Sequence, residues 1–239
     1  MIFTASTIDE QEREVIARID EIRKTLHYSL DAPSRWYGIL RRSALARAIR
    51  GSNSIEGYNV TEEDAIAAVD GAEPTDASQE TWKAVTGYQK AMTYVLQLSN
   101  DPHFSYNDGA LRALHFMMME YDLSKHPGKW RPGPIFVRDD QHNVVVYEGP
   151  DAALVPALFQ EFMESLNHPD QLPIMVRAAI AHLNLVMIHP FSDGNGRMAR
   201  CLQRCHYVNA WCAQSCPRCP KHAAGESAES GRSSPRSGR

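Results

Sequence analysis

Residues 189–200 read HPFSDGNGRMAR, which puts a histidine, a carboxylate, a Gly-Asn-Gly triplet and two arginines within twelve residues. His189 is of the type that titrates near neutral pH, so it can take a proton from an attacking hydroxyl. Asp193 is a hard oxygen ligand suited to Mg²⁺, which usually binds one or two carboxylates plus phosphates. Gly194, Asn195 and Gly196 open a helix. Glycines there leave backbone N–H groups free and let a phosphate approach without side-chain obstruction. Arg197 and Arg200 are three residues apart on one helix face and supply forked donors for phosphate oxygens. Each piece alone has an ordinary reading: a capping histidine, a surface aspartate, two solvated arginines. Together they describe a site for attack on a nucleotide phosphate.

A second stretch raises a question of charge. Residues 52–57 read SNSIEG, the end of a helix, with Gly57 where a left-handed backbone costs least at glycine. Glu56 then faces the negative end of its own helix dipole, a penalty of about 0.3–1 kcal/mol if exposed. The charge is either a solvated accident or the partner of a distant cation.

The elements that must position these residues read as mostly helical. Apolar residues at Val15, Ile16, Ile19, Ile22 and Leu26 make a helical stripe over 9–30. Pro33 opens a second helix with Trp36, Leu40, Leu45 and Ile49 on its apolar side, running toward SNSIEG. Thr61 caps a third, with acidic residues in its first turn. Helices follow over 78–99 and 106–120, the latter rich in Leu and Met, which is a core-packing composition. PIFV and VVVY flank the polar RDDQHN, a hairpin signal. A lone hairpin must lean on helices, and its open edge can accept an extended peptide. Further helices are predicted over 151–167 and 173–188. The second of these is apolar almost all round and reads as a buried central helix.

Composition bounds the function. The chain has 239 residues, 43% hydrophobic and 23% charged, with a net charge of −4. That is an ordinary globular composition with no basic footprint for nucleic acid. No apolar run approaches the ~20 residues of a membrane span. MIFTASTIDEQERE lacks the basic and apolar regions of a signal peptide, so the cytoplasm is the expected compartment.

HPFSDGNGRMAR matches the signature of the Fic family, His-x-Phe-x-Asp/Glu-Gly-Asn-Gly-Arg-x-x-Arg, at every fixed position. The preceding helix, the hairpin over 134–147 and LHFMMMEYDLSKHPGKWR also resemble the family, and the likeness spans roughly residues 35–202. It implies an all-α, Fic-type helical bundle with one β-hairpin flap, divided into an N-terminal helical region (1–60), a Fic core (61–203) and an atypical tail (204–239). It also implies a cytoplasmic protein adenylyltransferase, which moves AMP from ATP to a Ser, Thr or Tyr hydroxyl of a target protein and releases pyrophosphate. By that resemblance His189 is the general base and Asp193 holds Mg²⁺ through the phosphates. Gly194, Asn195 and Gly196 form the anion hole, and Arg197 and Arg200 bind the β- and γ-phosphates. Phe191 packs. Ile135, Phe136, Val137, Val144, Val145 and Val146 form the flap that clamps the target segment by strand addition. SNSIEG matches the family's inhibitory motif, Ser/Thr-x-x-x-Glu-Gly/Asn, through Ser52, Glu56 and Gly57. In that class Glu56 pairs with Arg200, so that ATP cannot seat productively. Homodimers are common in the family.

The same resemblance leaves alternatives: removal of AMP with Glu56 positioning water, transfer of phosphate, or a truncated, inactive nucleotide-binding remnant. The tail sharpens the last of these. All five cysteines (Cys201, Cys205, Cys212, Cys216, Cys219) lie after residue 200, and the charge changes from −8 before that point to +4 after it. The last 17 residues, AAGESAESGRSSPRSGR, have a disordered composition. The abrupt change after Gln203 resembles out-of-frame GC-rich coding, and the tail is read as a frame shift or truncation. A zinc site from CPRC with Cys205, His206, Cys212 and His222, or a lineage-specific surface tail, are the other readings.

Overall fold

The computed structural model describes residues 2–4, 7–29, 34–98, 101, 103–139, 142–168 and 172–215. Among them are helices α1 (Glu10–Ser29), α2 (Ser34–Ile55), α3 (Glu62–Asp70), α4 (Gln79–Leu98) and α5 (Asp108–Met119). An antiparallel hairpin, β1 (Phe136–Asp139) and β2 (Val144–Glu148), precedes α6 (Val155–Asn167), α7 (Ile174–Ile188) and α8 (Asn195–Ser215). The fold is therefore mostly helical with one hairpin, as expected.

Local chemistry sets the helix ends. The Thr61 hydroxyl accepts the Asp64 N–H at 3.0 Å, and Gly71 closes α3 at φ 70°. Asn107 caps α5 by accepting the Ala110 N–H at 2.9 Å. At the end of α2, Gly57 takes φ 86°, its N–H donates to Ser54 O at 3.1 Å, and the Tyr58 N–H donates to Asn53 O at 3.0 Å. This pair of bonds is a Schellman turn, which satisfies the last carbonyls and fixes the direction in which Glu56 leaves the helix.

The core lies where α7 and α8 pack together and α4 packs against both α5 and α8, with α2 joining α3 and α4. Tyr88, Met92, Leu111, Met118, Phe159, Leu185, Phe191 and Met198 are fully buried there. The methionines of α5 do pack the core, at Met118 and Met119. Gly87 permits the α4–α5 approach, since a Cβ on it would stand 2.6 Å from Met118 O. The hairpin pairs Phe136 with Glu148 and Asp139 with Val144, with an irregularity between Val137 and Arg138. Phe136, Val137, Val144, Val145 and Val146 are all exposed. The hairpin does lean on a helix, for the Tyr147 hydroxyl donates to Met187 O in α7.

Three expectations change. Helix α7 is not buried all round. Ile174, Ala178, Ala181, Leu185 and Ile188 form its buried face, at helical spacing, while Met175 and Leu183 lie outside. Helix α1 forms, but its stripe is not a core face, because Val15 and Ile22 are 54% and 51% exposed and no described element packs extensively against it. In α2 Leu40 is likewise exposed, whereas Ala46 and Ile49 are buried. Helix α8 runs on past Gln203 to Ser215. Cys201 and Cys205 are buried in the core, and no metal-ligating cluster occurs among the described residues. The rest of the tail, with Cys216, Cys219, His222 and the disordered-composition segment, lies outside the described residues, as does Pro33.

Candidate active site

Helix α7 ends at His189, which takes the left-handed conformation at φ 50° without being glycine. Such a backbone costs roughly 1–3 kcal/mol and persists only where its surroundings enforce it. The enforcing contacts are visible. The His189 N–H donates to Leu185 O at 3.0 Å, and ring Nδ1 lies 3.2 Å from Val186 O. A carbonyl can only accept, so Nδ1 carries the proton and Nε2 remains an acceptor. Burial, reinforced by the Arg131 charge, holds the ring below the usual histidine range, which keeps it neutral and basic at neutral pH.

Arg131 enforces the same turn from outside. Its Nε donates to His189 O at 2.8 Å, Nη1 to Gly133 O at 2.5 Å and Nη2 to Pro150 O. Its backbone N–H donates to Pro190 O at 2.9 Å. One buried guanidinium thus joins the base of the hairpin to the His189 turn.

The loop 190–194 is built on aromatic stacking and a second histidine. Phe191 is fully buried, its ring stacked nearly parallel on that of His115 with centroids 3.7 Å apart, and with Trp130 stacked at 5.6 Å. His115 Nε2 lies 2.9 Å from Asp193 O, and Nδ1 accepts the Gly128 N–H at 2.9 Å. These two partners assign the proton to Nε2. Burial pushes its pKa down to about 4, so the ring is neutral. Asn195 closes the loop on itself. Its Oδ1 accepts the Phe191 N–H at 3.0 Å, and its Nδ2 donates to Phe191 O at 2.8 Å.

Past this loop α8 presents its N-terminus. Gly194, at φ 76°, donates its N–H to Asp193 Oδ1 at 2.6 Å. Asp193 Oδ2 lies 3.6 Å from Lys125 Nζ. The partly exposed Asp193 carboxylate fits Mg²⁺ as one hard ligand, with phosphates and water supplying the others. Arg197 is 1% exposed. Its Nη1 donates to the Tyr121 hydroxyl at 3.4 Å, Nη2 to Met119 Sδ at 3.0 Å, and its face lies 5.2 Å from the centre of the Tyr58 ring. Among the described residues no carboxylate pairs with it. Burying such a charge is costly and leaves it ready for an anion.

Arg200 is held differently. Its Nε donates to Ser52 Oγ at 2.8 Å, and Nη2 donates to Ser52 O at 3.0 Å and to Glu56 Oε1 at 2.5 Å. The Glu56 carboxylate also lies over Gly196, where a Cβ would stand 2.7 Å from Oε1. The charge that faced the wrong end of α2 therefore sits at the right end of α8.

The structure thus brings His189, Asp193, Gly194, Asn195, Gly196, Arg197, Arg200, Ser52 and Glu56 to one place. The hairpin residues are joined to it through Arg131 and Tyr147. Sequence reasoning missed His115, Gly128, Trp130, Arg131, Tyr58 and Tyr121. The only trace of all but Tyr58 was their presence in LHFMMMEYDLSKHPGKWR.

Residues 106–205 match the model described as the Fic/DOC family. The chain is 28% identical to the protein adenylyltransferase Fic of Nematostella vectensis over 205 residues, covering 85% of this chain and 46% of that protein. It is 29% identical over 203 residues to the protein of the same name in Drosophila melanogaster, covering 81% and 40%. The chain spans less than half the length of these relatives. A crystal structure of a Fic family protein from Desulfovibrio desulfuricans G20 superposes with a TM-score of 0.69 at 27% identity, over 85% of this chain and 59% of that one. Fic-1 of C. elegans shares the fold, with a TM-score of 0.63 at 20% identity over 84% and 60%. The stretch 52–57 lies outside the matched family segment. No helix among the described residues is long and apolar enough to cross a membrane.

Proposed function

We propose that this chain is a protein adenylyltransferase held shut by its own Glu56. One placement carries the reading: the Glu56 carboxylate lies 2.5 Å from Arg200 and directly over Gly196, at the N-terminus of α8. A helix N-terminus flanked by two arginines is an anion site. Here an acid from α2 stands where an anion from solution would bind.

The chemistry follows from the groups around it. His189 Nε2 accepts the proton of a target Ser, Thr or Tyr hydroxyl as its oxygen bonds to the α-phosphorus of ATP. The bond from that phosphorus to the bridging oxygen breaks, and pyrophosphate leaves. The N–H groups at the start of α8 and the Arg197 guanidinium stabilise the phosphate charge. Bound Mg²⁺, held by Asp193 and the phosphates, would neutralise further charge on the leaving group. Productive seating of the terminal phosphate requires Arg200, and Glu56 withholds it. The open edge of the hairpin suits the target segment, added as a strand beside the exposed Val144–Val146. His115 and Phe191 take no part in the transfer and serve to hold the loop.

Glu56→Gly protein incubated with ATP and Mg²⁺ is expected to gain 329 Da adducts, roughly the mass of AMP less water, on itself or on an added target, at a level well above wild type. Label from the α-phosphate should be retained and label from the γ-phosphate lost. A Glu56→Gly protein as quiet as wild type, with His189 intact, refutes the lock; retained γ-label makes the enzyme a phosphotransferase.

A further inference from the structure

Tyr58 lies just beyond the inhibitory stretch and touches the other arginine. Its ring covers the Arg197 guanidinium at 5.2 Å. Its hydroxyl accepts from the Tyr121 hydroxyl at 3.2 Å, and that hydroxyl in turn accepts from Arg197 Nη1 at 3.4 Å. The two tyrosine rings meet edge to face at 6.4 Å. Tyr58 therefore reaches Arg197 twice, through its π face and through a hydrogen-bond relay. Its backbone is fixed by the Schellman bond to Asn53 O.

Arg197 needs this support. It is buried, its Nε has no hydrogen-bond partner among the described residues, and its two acceptors there are a thioether and a neutral hydroxyl. An aromatic face is among the few surroundings that favour a buried guanidinium without neutralising it. A carboxylate in its place would hold the charge equally well but would compete with the phosphate.

The geometry points to Tyr58 as a positioning residue for Arg197, one that presents this arginine to the phosphates of ATP. The segment 52–58 then acts in opposite senses on two arginines. Ser52 and Glu56 withhold Arg200, while Tyr58, two residues on, readies Arg197. This rests on the adenylyltransferase reading for the identity of the ligand, and nucleotide affinity tests it separately from turnover.

The experiment is calorimetric titration of ATP with Mg²⁺ into full-length Glu56→Gly, and into the same protein carrying Tyr58→Leu, Tyr58→Phe or Tyr121→Phe. Tyr58→Leu keeps apolar cover over Arg197 but removes the π face, and is expected to weaken ATP binding roughly three- to thirty-fold. Tyr58→Phe keeps the face and should restore affinity to within about threefold of the parent. Tyr121→Phe breaks the relay alone and should fall between them. Thermal melts accompany each titration, because a purely structural role would lower the melting temperature of Tyr58→Leu while leaving its ATP affinity unchanged. Equal affinity for the Leu and Phe variants overturns the inference. So does Tyr58→Leu with Glu56 intact becoming as active as Glu56→Gly, since that would make Tyr58 part of the lock. A Glu56→Gly protein that binds ATP but modifies nothing refutes the adenylyltransferase reading, and the affinity series still decides the role of Tyr58.

Discussion

Replacing Arg131 with lysine keeps the charge and removes the fork. The arginine side chain spans three carbonyls, those of His189, Gly133 and Pro150. A lysine ammonium is a point donor and reaches one of them. Hydrogen bonds from charged donors are worth about 1.5–3 kcal/mol each, so losing two costs about 3–6 kcal/mol. Gly133 and Pro150 are only half-buried, so water recovers part of that at the hairpin end. A net loss of about 3 kcal/mol is expected, which corresponds to a fall in melting temperature of about 6–12 °C for a chain of this size. The loss is also localised. Hydrogen exchange should speed up at the hairpin, including the Gly149 N–H that now bonds Ile135 O at 3.0 Å, while amides of α4 keep their protection. In a Glu56→Gly background activity should fall along with hairpin protection, because the same side chain steadies His189. An Arg131→Lys protein that melts within about 2 °C of wild type and keeps its hairpin amides protected refutes the assigned linkage.

Two further outcomes can be checked together. On the proposed reading His189 acts as the base in its neutral form, and burial lowers its pKa, so activity of Glu56→Gly should persist on acidification past the ordinary histidine value of 6.5 and fall only at lower pH; a pH–rate profile with its acid limb above 6.5 contradicts the assignment. Gly87→Ala drives a Cβ to 2.6 Å from Met118 O at the α4–α5 crossing, and denaturant unfolding should show a loss of about 1–3 kcal/mol.

What the sequence made legible was what its chemistry kept local. Thr61, Gly57 and Gly71 act within a few residues of themselves, and each does at its helix end what its type implies. The twelve residues from His189 to Arg200 contain their own turn, candidate anion site and candidate base. The contacts that hold this turn in place come from elsewhere. His115 and Arg131 lie 78 and 58 positions from their partners in the loop, and Gly128 supports His115 across 13. A histidine that bonds two backbone groups while stacking on a phenylalanine has no periodicity to betray it. Periodicity also misled in both directions. Helix α1 has a stripe and no described element packed extensively against it, whereas α7 is apolar on faces it leaves exposed. A stripe records which face would be buried, and a neighbour must be present to bury it. Glu56 was intermediate: its position against its own dipole posed the question, and the answer lay 144 positions away at Arg200.

The Schellman turn after α2 gives that answer a quantitative side. On the proposed reading, this carboxylate fixed to a rigid turn is a ligand tethered to its own receptor, in competition with the γ-phosphate for one guanidinium. Even flexible tethers confer effective concentrations on the order of millimolar, and a preformed turn confers more. The resting state is then set by a ratio of affinities and does not depend on how much enzyme is present. A partner that bends the turn by a small angle would lower the local concentration of the competitor without touching the catalytic groups. Output could therefore be graded continuously at a point outside the reaction centre.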